Sequence, residues 1–480
     1  MGWFDAPEYW FGRQVLERGT AAVYVLAFVA AARQFRALIG THGMLPVPRF
    51  LARRSFRQAP SIFQLHYSDR FFAAVAWSGA ALAAAVCAGL ADLVPLGVAM
   101  AIWLILWALY LSIVNVGQVW YAFGWESLLL ETGFLTIFLG NDRVAPPVLV
   151  LWLARWLLFR VEFGAGLIKL RGDPCWRSLT CLYYHHETQP MPGPLSWFFH
   201  HLPKPLHRIE VGANHFAQLV VPLGLFAPQP VAGSAGAIVV VTQLWLVLSG
   251  NFAWLNWLTI LLAAAAIPDS VAATVLPIPH APALPAAAPW FIALIIAFTA
   301  LVVVLSYRPA RNLLSHHQRM NMSFDPYRLV NTYGAFGGIQ RTRHEIVIEG
   351  TAEPRITDRT VWQEYEFRGK PGDPHRLPGQ WAPYHLRLDW LMWFAALSPF
   401  SRPVWLVPLA VRLLRNDPAT VRLLRHNPFP GSPPRFLRAQ LYRYRFTTPR
   451  ELLRERSWWH RTFVDAYFPP IALENVRPRP

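Results

Sequence analysis

The chain has 480 residues, with 44 Lys and Arg against 27 Asp and Glu, a formal net charge of +17. Apolar residues make up 54% and charged residues only 15%, against roughly 25% charged in an ordinary soluble domain, so a single water-soluble domain is excluded. Disorder is excluded as well, because 22 Trp, 31 Phe and 15 Tyr supply ample apolar surface to bury.

Runs of apolar residues long enough for a ~30 Å hydrocarbon core fall at 19–40, 71–91, 94–116, 125–140, 145–170, 211–228, 232–250, 252–268 and 288–306. They predict eight or nine spans, the first retained as an anchor. The 125–140 run is short and carries Glu126 and Glu131, so its status sets the parity of the topology. The connection 41–70 holds Arg49, Arg53, Arg54, Arg57 and Arg70, and the positive-inside tendency turns it to the cytoplasm.

The expected fold is a mainly α, polytopic membrane bundle over 1–307, followed by a smaller, basic, water-facing α+β domain over 308–480. Residues 1–307 carry 17 basic and 13 acidic side chains, and residues 308–480 carry 27 and 14. Period-two alternation at 344–349 and 441–446 predicts antiparallel strands, with a third over 361–368. Asp417-Pro418 and Thr448-Pro449-Arg450-Glu451 predict helix starts, the second with a capping box. Residues 390–412 are apolar, but Arg402, Pro403 and Pro408 break any span there.

The 145–171 span carries Arg155, Arg160, Glu162 and Lys169. Ionisable groups at membrane depth cost about 2.5–3.5 kcal/mol each on insertion scales and therefore face a partner or a watery cavity. Arg155, Glu162 and Lys169 recur every seven residues, one stripe drifting ~20° per step, which the bundle interior must receive. Gly164 and Gly166 open that face to close approach. Lys169 reads either as a desolvated base or as the partner of Glu162, Glu126 or Glu131. Glu126 and Glu131 stand ~140° apart on a helix and do not form one dyad. These six form the expected intramembrane charge network.

The loop 171–208 is rich in polar and turn residues and is expected to cap the bundle. Cys175 and Cys181, six apart, form a disulfide in an oxidising compartment and remain thiols in the cytosol. His185, His186 and Glu187 lack chelating spacing, so no metal and no cofactor are expected. The Arg-rich helices near Arg412, Arg415, Arg422 and Arg425 suit anionic lipid headgroups, and no nucleic-acid module accompanies them.

Six motifs in consistent order, GQVWYAFGWESLLLETGF (117–134), RVEFGAGLIKLRGDPCWRSLTC (160–181), YHHETQPMP (184–192), NTYGAFGGIQRTRHEIVIEGT (331–351), WQEYEFRGKPGD (362–373) and RLDWLMWFAAL (387–397), together resemble the lipase maturation factor family. The resemblance implies a membrane-embedded folding factor whose client is a lipase or other secreted protein, engaged by the C-terminal domain. It nominates Arg343, Glu349, Trp362, Tyr365, Arg387, Asp389 and Trp390 as tail-motif or client-binding residues. Animal members reside in the endoplasmic reticulum; the Ala-, Arg- and Pro-rich composition here points to a bacterial inner membrane. A shorter likeness, AGLIKL (165–170) with Trp176, is similar to the membrane domain of vitamin K-dependent γ-carboxylase. It implies an alternative, a membrane enzyme acting on a lipid-soluble substrate with Lys169 as catalytic base and His185 or Glu126 beside it.

Overall fold

The structure, a computed structural model, describes residues 2–279, 281–397 and 403–475; Arg402 lies outside the described residues. Ten helices carry the argument through the first 314 residues: α1 (Trp10–Leu38), α2 (Asp69–Cys87), α3 (Leu96–Val116), α4 (Gly124–Thr136), α5 (Val148–Arg171), α6 (Leu182–Thr188), α7 (Lys204–Leu219), α8 (Val231–Ser249), α9 (Leu255–Ala263) and α10 (Pro289–Leu314). Local chemistry sets their ends. Ser68 accepts a hydrogen bond from the Phe71 amide at the start of α2 (3.1 Å), and Pro289 opens α10, where its missing N–H costs nothing.

Five helices among the described residues are long and apolar enough to cross a membrane, Pro7–Leu38, Asp69–Cys87, Leu96–Val116, Val231–Ser249 and Pro289–Leu314. This corrects the expected eight or nine. A span needs ~20 apolar residues, and α4, α7 and α9 have 13, 16 and 9. The 24-residue α5 is long enough but holds five charges along its middle and end, Arg155, Arg160, Glu162, Lys169 and Arg171. The outer faces of α8 and α10 leave Val241, Leu244, Val303 and Val304 exposed, an apolar surface suited to lipid.

The bundle has two distinct ends. At one, Asp5 bridges Pro147, Arg13 donates to the Asn141 carbonyl (2.8 Å), Asn141 donates to the Ala91 carbonyl (2.9 Å) and the Phe11 amide meets Asp269 (3.1 Å). At the other, the Thr41 amide meets Asp69 (2.8 Å), Arg171 meets the Leu313 carbonyl (2.9 Å), and Asn251 joins Pro192 to Gly379 (3.2 and 2.9 Å). The 41–70 connection, the 171–203 segment and the tail therefore share one end.

The tail holds a four-stranded antiparallel sheet, β1 (Arg343–Thr351), β2 (Gln363–Glu364), β3 (Phe436–Phe446) and β4 (Trp459–Ala472), in the order β2-β1-β3-β4. Three helices among the described residues separate β2 from β3, α11 (Arg387–Leu397), α12 (Leu406–Leu414) and the four-residue α13 (Pro418–Val421), so the apolar 390–412 stretch is not one helix. The 361–368 strand shrinks to two paired residues, because from Tyr365 the chain turns to follow His426 (Glu366 N to His426 O, 3.2 Å). Both expected helix starts form. Asp417 accepts from the Thr420 amide (2.9 Å), and Thr448 and Glu451 make the reciprocal capping box.

Candidate functional site

Helix α4 is buried on all sides, and its two carboxylates each hold a piece of the tail. Glu126 is fully buried and pairs with Arg387 of α11, while Tyr110 of α3 donates to the same carboxylate. Arg387 also donates to the Trp120 carbonyl (2.8 Å), and its guanidinium lies 3.6 Å from the Tyr121 ring centre. His385 Nδ1 is 3.6 Å from Glu126. Burial pushes this imidazole down to about 4, so it stays neutral and Arg387 alone balances the carboxylate. From α1, Gln34 receives the Arg387 amide (3.1 Å) and donates to the His385 carbonyl (2.7 Å).

One and a half turns further along α4, Glu131 pairs with Arg160 of α5. It also accepts from the Asn331 amide (3.0 Å), the Asn331 side chain (2.9 Å) and Tyr333 (2.7 Å). Arg160 returns a bond to the Asn331 carbonyl (2.6 Å). Gly164 makes this approach possible, since a Cβ there would lie 2.5 Å from the Tyr333 carbonyl oxygen. The two acids do face different partners, as their angular separation demands.

The stripe of α5 resolves differently from its expected ion pairs. Lys169 Nζ donates to the amide oxygens of Asn214 (2.9 Å) and Gln218 (2.8 Å) and lies 4.9 Å from the Trp176 ring centre. Neither Glu126 nor Glu131 reaches it, because each has its own arginine. Glu162 accepts from Gln243 (2.6 Å), which accepts from Asn256 (2.7 Å). Arg155 donates to the Ala265 carbonyl (2.9 Å) and faces the Tyr9 ring (5.2 Å). His185 is near Lys169, whose charge adds to burial in pushing the imidazole down to about 3; its ring packs edge-on against Phe336 (4.9 Å).

Cys175 and Cys181 are disulfide-bonded, with Cα atoms 4.8 Å apart. His185, His186 and Glu187 diverge: Glu187 accepts from the Phe446 amide of β3 (2.7 Å). Among the tail-motif residues, Arg343, Glu349, Tyr365, Arg387, Asp389 and Trp390 are buried and Trp362 is half-buried. Arg343 pairs with Glu345 (2.5 Å) and clamps the carbonyls of Glu187, Gln189 and Pro190 (3.0, 2.5 and 3.1 Å). Glu349 pairs with Arg438 (2.6 Å), whose guanidinium stacks on Trp362 (4.2 Å). Asp389 accepts from the Gly369 and Lys370 amides (2.6 and 3.1 Å), and Trp390 packs on Trp125 (4.8 Å). The residues missed from the sequence are Gln34, Tyr110, Asn214, Gln218, Gln243, Asn256, Asn331, Tyr333 and His385. Gln34, Gln218, Gln243 and Asn256 stand in apolar runs, where an amide carries the same signal as a charge.

Comparison with known proteins bears on the same segments. Residues 11–274 match the model of the Lipase maturation factor transmembrane domain, and 329–469 that of the Lipase maturation factor C-terminal domain. The chain is 42% identical to Lipase maturation factor 1 of Bos taurus, covering 98% of this chain and 91% of the relative. It is 40% identical to that of Homo sapiens over 98% and 89%, and 30% identical to Lipase maturation factor 2 of Rattus norvegicus over 96% and 83%. No solved structure matches the chain. With matches of this length and identity running through both the bundle and the tail, the chain belongs to the lipase maturation factor family.

Proposed function

We propose that this protein is a membrane-embedded, chaperone-like factor that brings secreted lipases to their folded, active state, and that its C-terminal domain engages the client. The observation that carries this reading is the 42% identity to Lipase maturation factor 1 along 98% of the chain. The buried tail residues then serve as positioning groups, holding the sheet against the bundle. Client contact falls to the surface they support, chiefly the outer strand β4, where Phe463 and Val464 are 55% and 47% exposed and whose outer edge is unpaired in the sheet. An open strand edge is a template for pairing with an extended segment of another chain.

The end of the bundle that bears the tail faces the oxidising, secretory side: the periplasm if the membrane is a bacterial inner membrane, the lumen if it is the endoplasmic reticulum. The disulfide at that end supports this side, as does the client, which folds only after translocation. The basic 41–70 connection argues for the opposite side and is outweighed, because thiols stay reduced in the cytosol.

The test is made in the native cell. Deleting the gene is expected to lower the activity per amount of secreted lipase protein, and both wild type and Lys169→Ala are expected to restore it. Unchanged specific activity on deletion refutes the lipase client. A second reading, a membrane enzyme with Lys169 as base, draws support from the amide oxygens, rather than a carboxylate, that hold its amine. Rescue by wild type but not by a folded Lys169→Ala variant would select it.

A further inference from the structure

Three side chains that the maturation reading leaves unused converge below the disulfide-bearing segment: His186 on α6, and His207 and Glu210 on α7. One ligand atom from each lies within 4.8 Å of the other two. The imidazole centres are 5.7 Å apart and tilted by 32°, and His207 Nδ1 is 3.9 Å from Glu210 Oε2, beyond hydrogen-bond reach. His207 and Glu210 are three residues apart on one helix and so share a face.

The two imidazoles are buried, Glu210 is half-buried, and each of the three carries at least one unsatisfied atom. His186 is 1% exposed and His207 2%. Both ring nitrogens of His186, Nδ1 of His207 and Oε2 of Glu210 are without a hydrogen-bond partner among the described residues. A buried polar atom without a partner is destabilising, and here one ligand atom from each of the three side chains lies close to the other two.

The remaining polar atoms of the set are held from outside, in the way that orients metal ligands. His207 Nε2 lies 3.3 Å from the His200 carbonyl oxygen, which fixes the proton on Nε2 and bares Nδ1. Trp245 of α8 donates to Glu210 Oε1 at 2.7 Å, which turns Oε2 inward. The other cluster of ligating residues among the described residues, Asp173 with Cys175 and Cys181, has its sulfurs joined to each other and offers no thiolate.

We propose that His186, His207 and Glu210 bind one divalent transition-metal ion, with zinc the best match to two imidazoles and a carboxylate. Three protein ligands leave a fourth tetrahedral position for water. Ligand atoms on such an ion stand ~3.4 Å apart at bond lengths of ~2.1 Å, so small side-chain rotations complete the set. The ion ties α6 to α7, and α6 in turn contacts the sheet through Glu187.

The experiment uses the full-length protein, purified in detergent through a tag free of histidine, stripped with chelator and titrated with Co(II) and with Zn(II). Wild type is expected to take up one equivalent per chain, with visible d–d absorption for Co(II) and zinc confirmed by elemental mass spectrometry. His186→Ala and Glu210→Gln are expected to weaken binding by at least ~10-fold, and Trp245→Phe by ~10-fold through the lost orienting bond. His42→Ala, at an exposed loop position, keeps wild-type binding. If His186→Ala fails to fold, the nearly isosteric Glu210→Gln and Trp245→Phe decide. No stoichiometric uptake by wild type, or unchanged affinity in folded Glu210→Gln, overturns the site.

Discussion

Removing either partner of the Glu126–Arg387 pair leaves the other charged and fully buried among Tyr110, Tyr121 and Trp254. Breaking such a pair typically costs about 3–5 kcal/mol. Arg387→Ala and Glu126→Leu are therefore each expected to lower the thermal unfolding midpoint of the solubilised protein strongly, and the double variant by less than the sum of the two. Additive losses would mean that the two side chains do not act as a pair. At this scale the sequence showed that Glu126, Glu131 and the charges of 155–169 turn inward, because their expense in an apolar run is a local property. Their partners were not legible. Arg387 is 261 residues away from Glu126, and nothing in the spacing within 145–171 distinguishes a carboxylate partner for Lys169 from the amides of Asn214 and Gln218.

At the scale of elements, β1 explains why alternation was only half of the truth. Its burial is nearly continuous from Glu345 to Thr351, since β2 and β3 flank it and α11 packs on it. The apparent polar face is made of paired groups, with Glu345 between Arg343 and Lys370 and Glu349 against Arg438. The strand β4 escaped notice because Pro469 and Pro470 interrupt its pattern and register shifts break its pairing with β3. Its outer edge yields a direct prediction. Phe463→Ser combined with Val464→Asp is expected to reduce the specific activity of the secreted lipase several-fold while leaving the factor's own yield and melting unchanged. Full client activity with this double variant would remove β4 as the contact strand.

For the whole molecule, the count of spans and the placement of the tail separate. Among the described residues five helices, not eight or nine, are long and apolar enough to span, and the two ends of the bundle, not that count, set the tail on the same side as the 41–70 connection. Side-chain contacts agree, since Gln34 near the end of α1 bonds to the segment leading into α11. If that end faces the oxidising side, Cys175 and Cys181 in intact spheroplasts or sealed vesicles are expected to react with a membrane-impermeant maleimide only after reduction and only from that side. Labelling from the cytoplasmic side would invert the topology. The membrane class and the α+β tail were legible from composition and period. The side was not, because charge counting and thiol chemistry point in opposite directions.

The attachment of the tail to α4 also imposes an order in time. Glu131 and Glu126 are made long before Asn331, Tyr333 and Arg387 leave the ribosome. During synthesis, therefore, Glu126 stands without its arginine while some 260 further residues are added. A chain halted anywhere before Arg387 never supplies that partner. The pin thus marks completeness, because only a chain extended past Arg387 can pair Glu126.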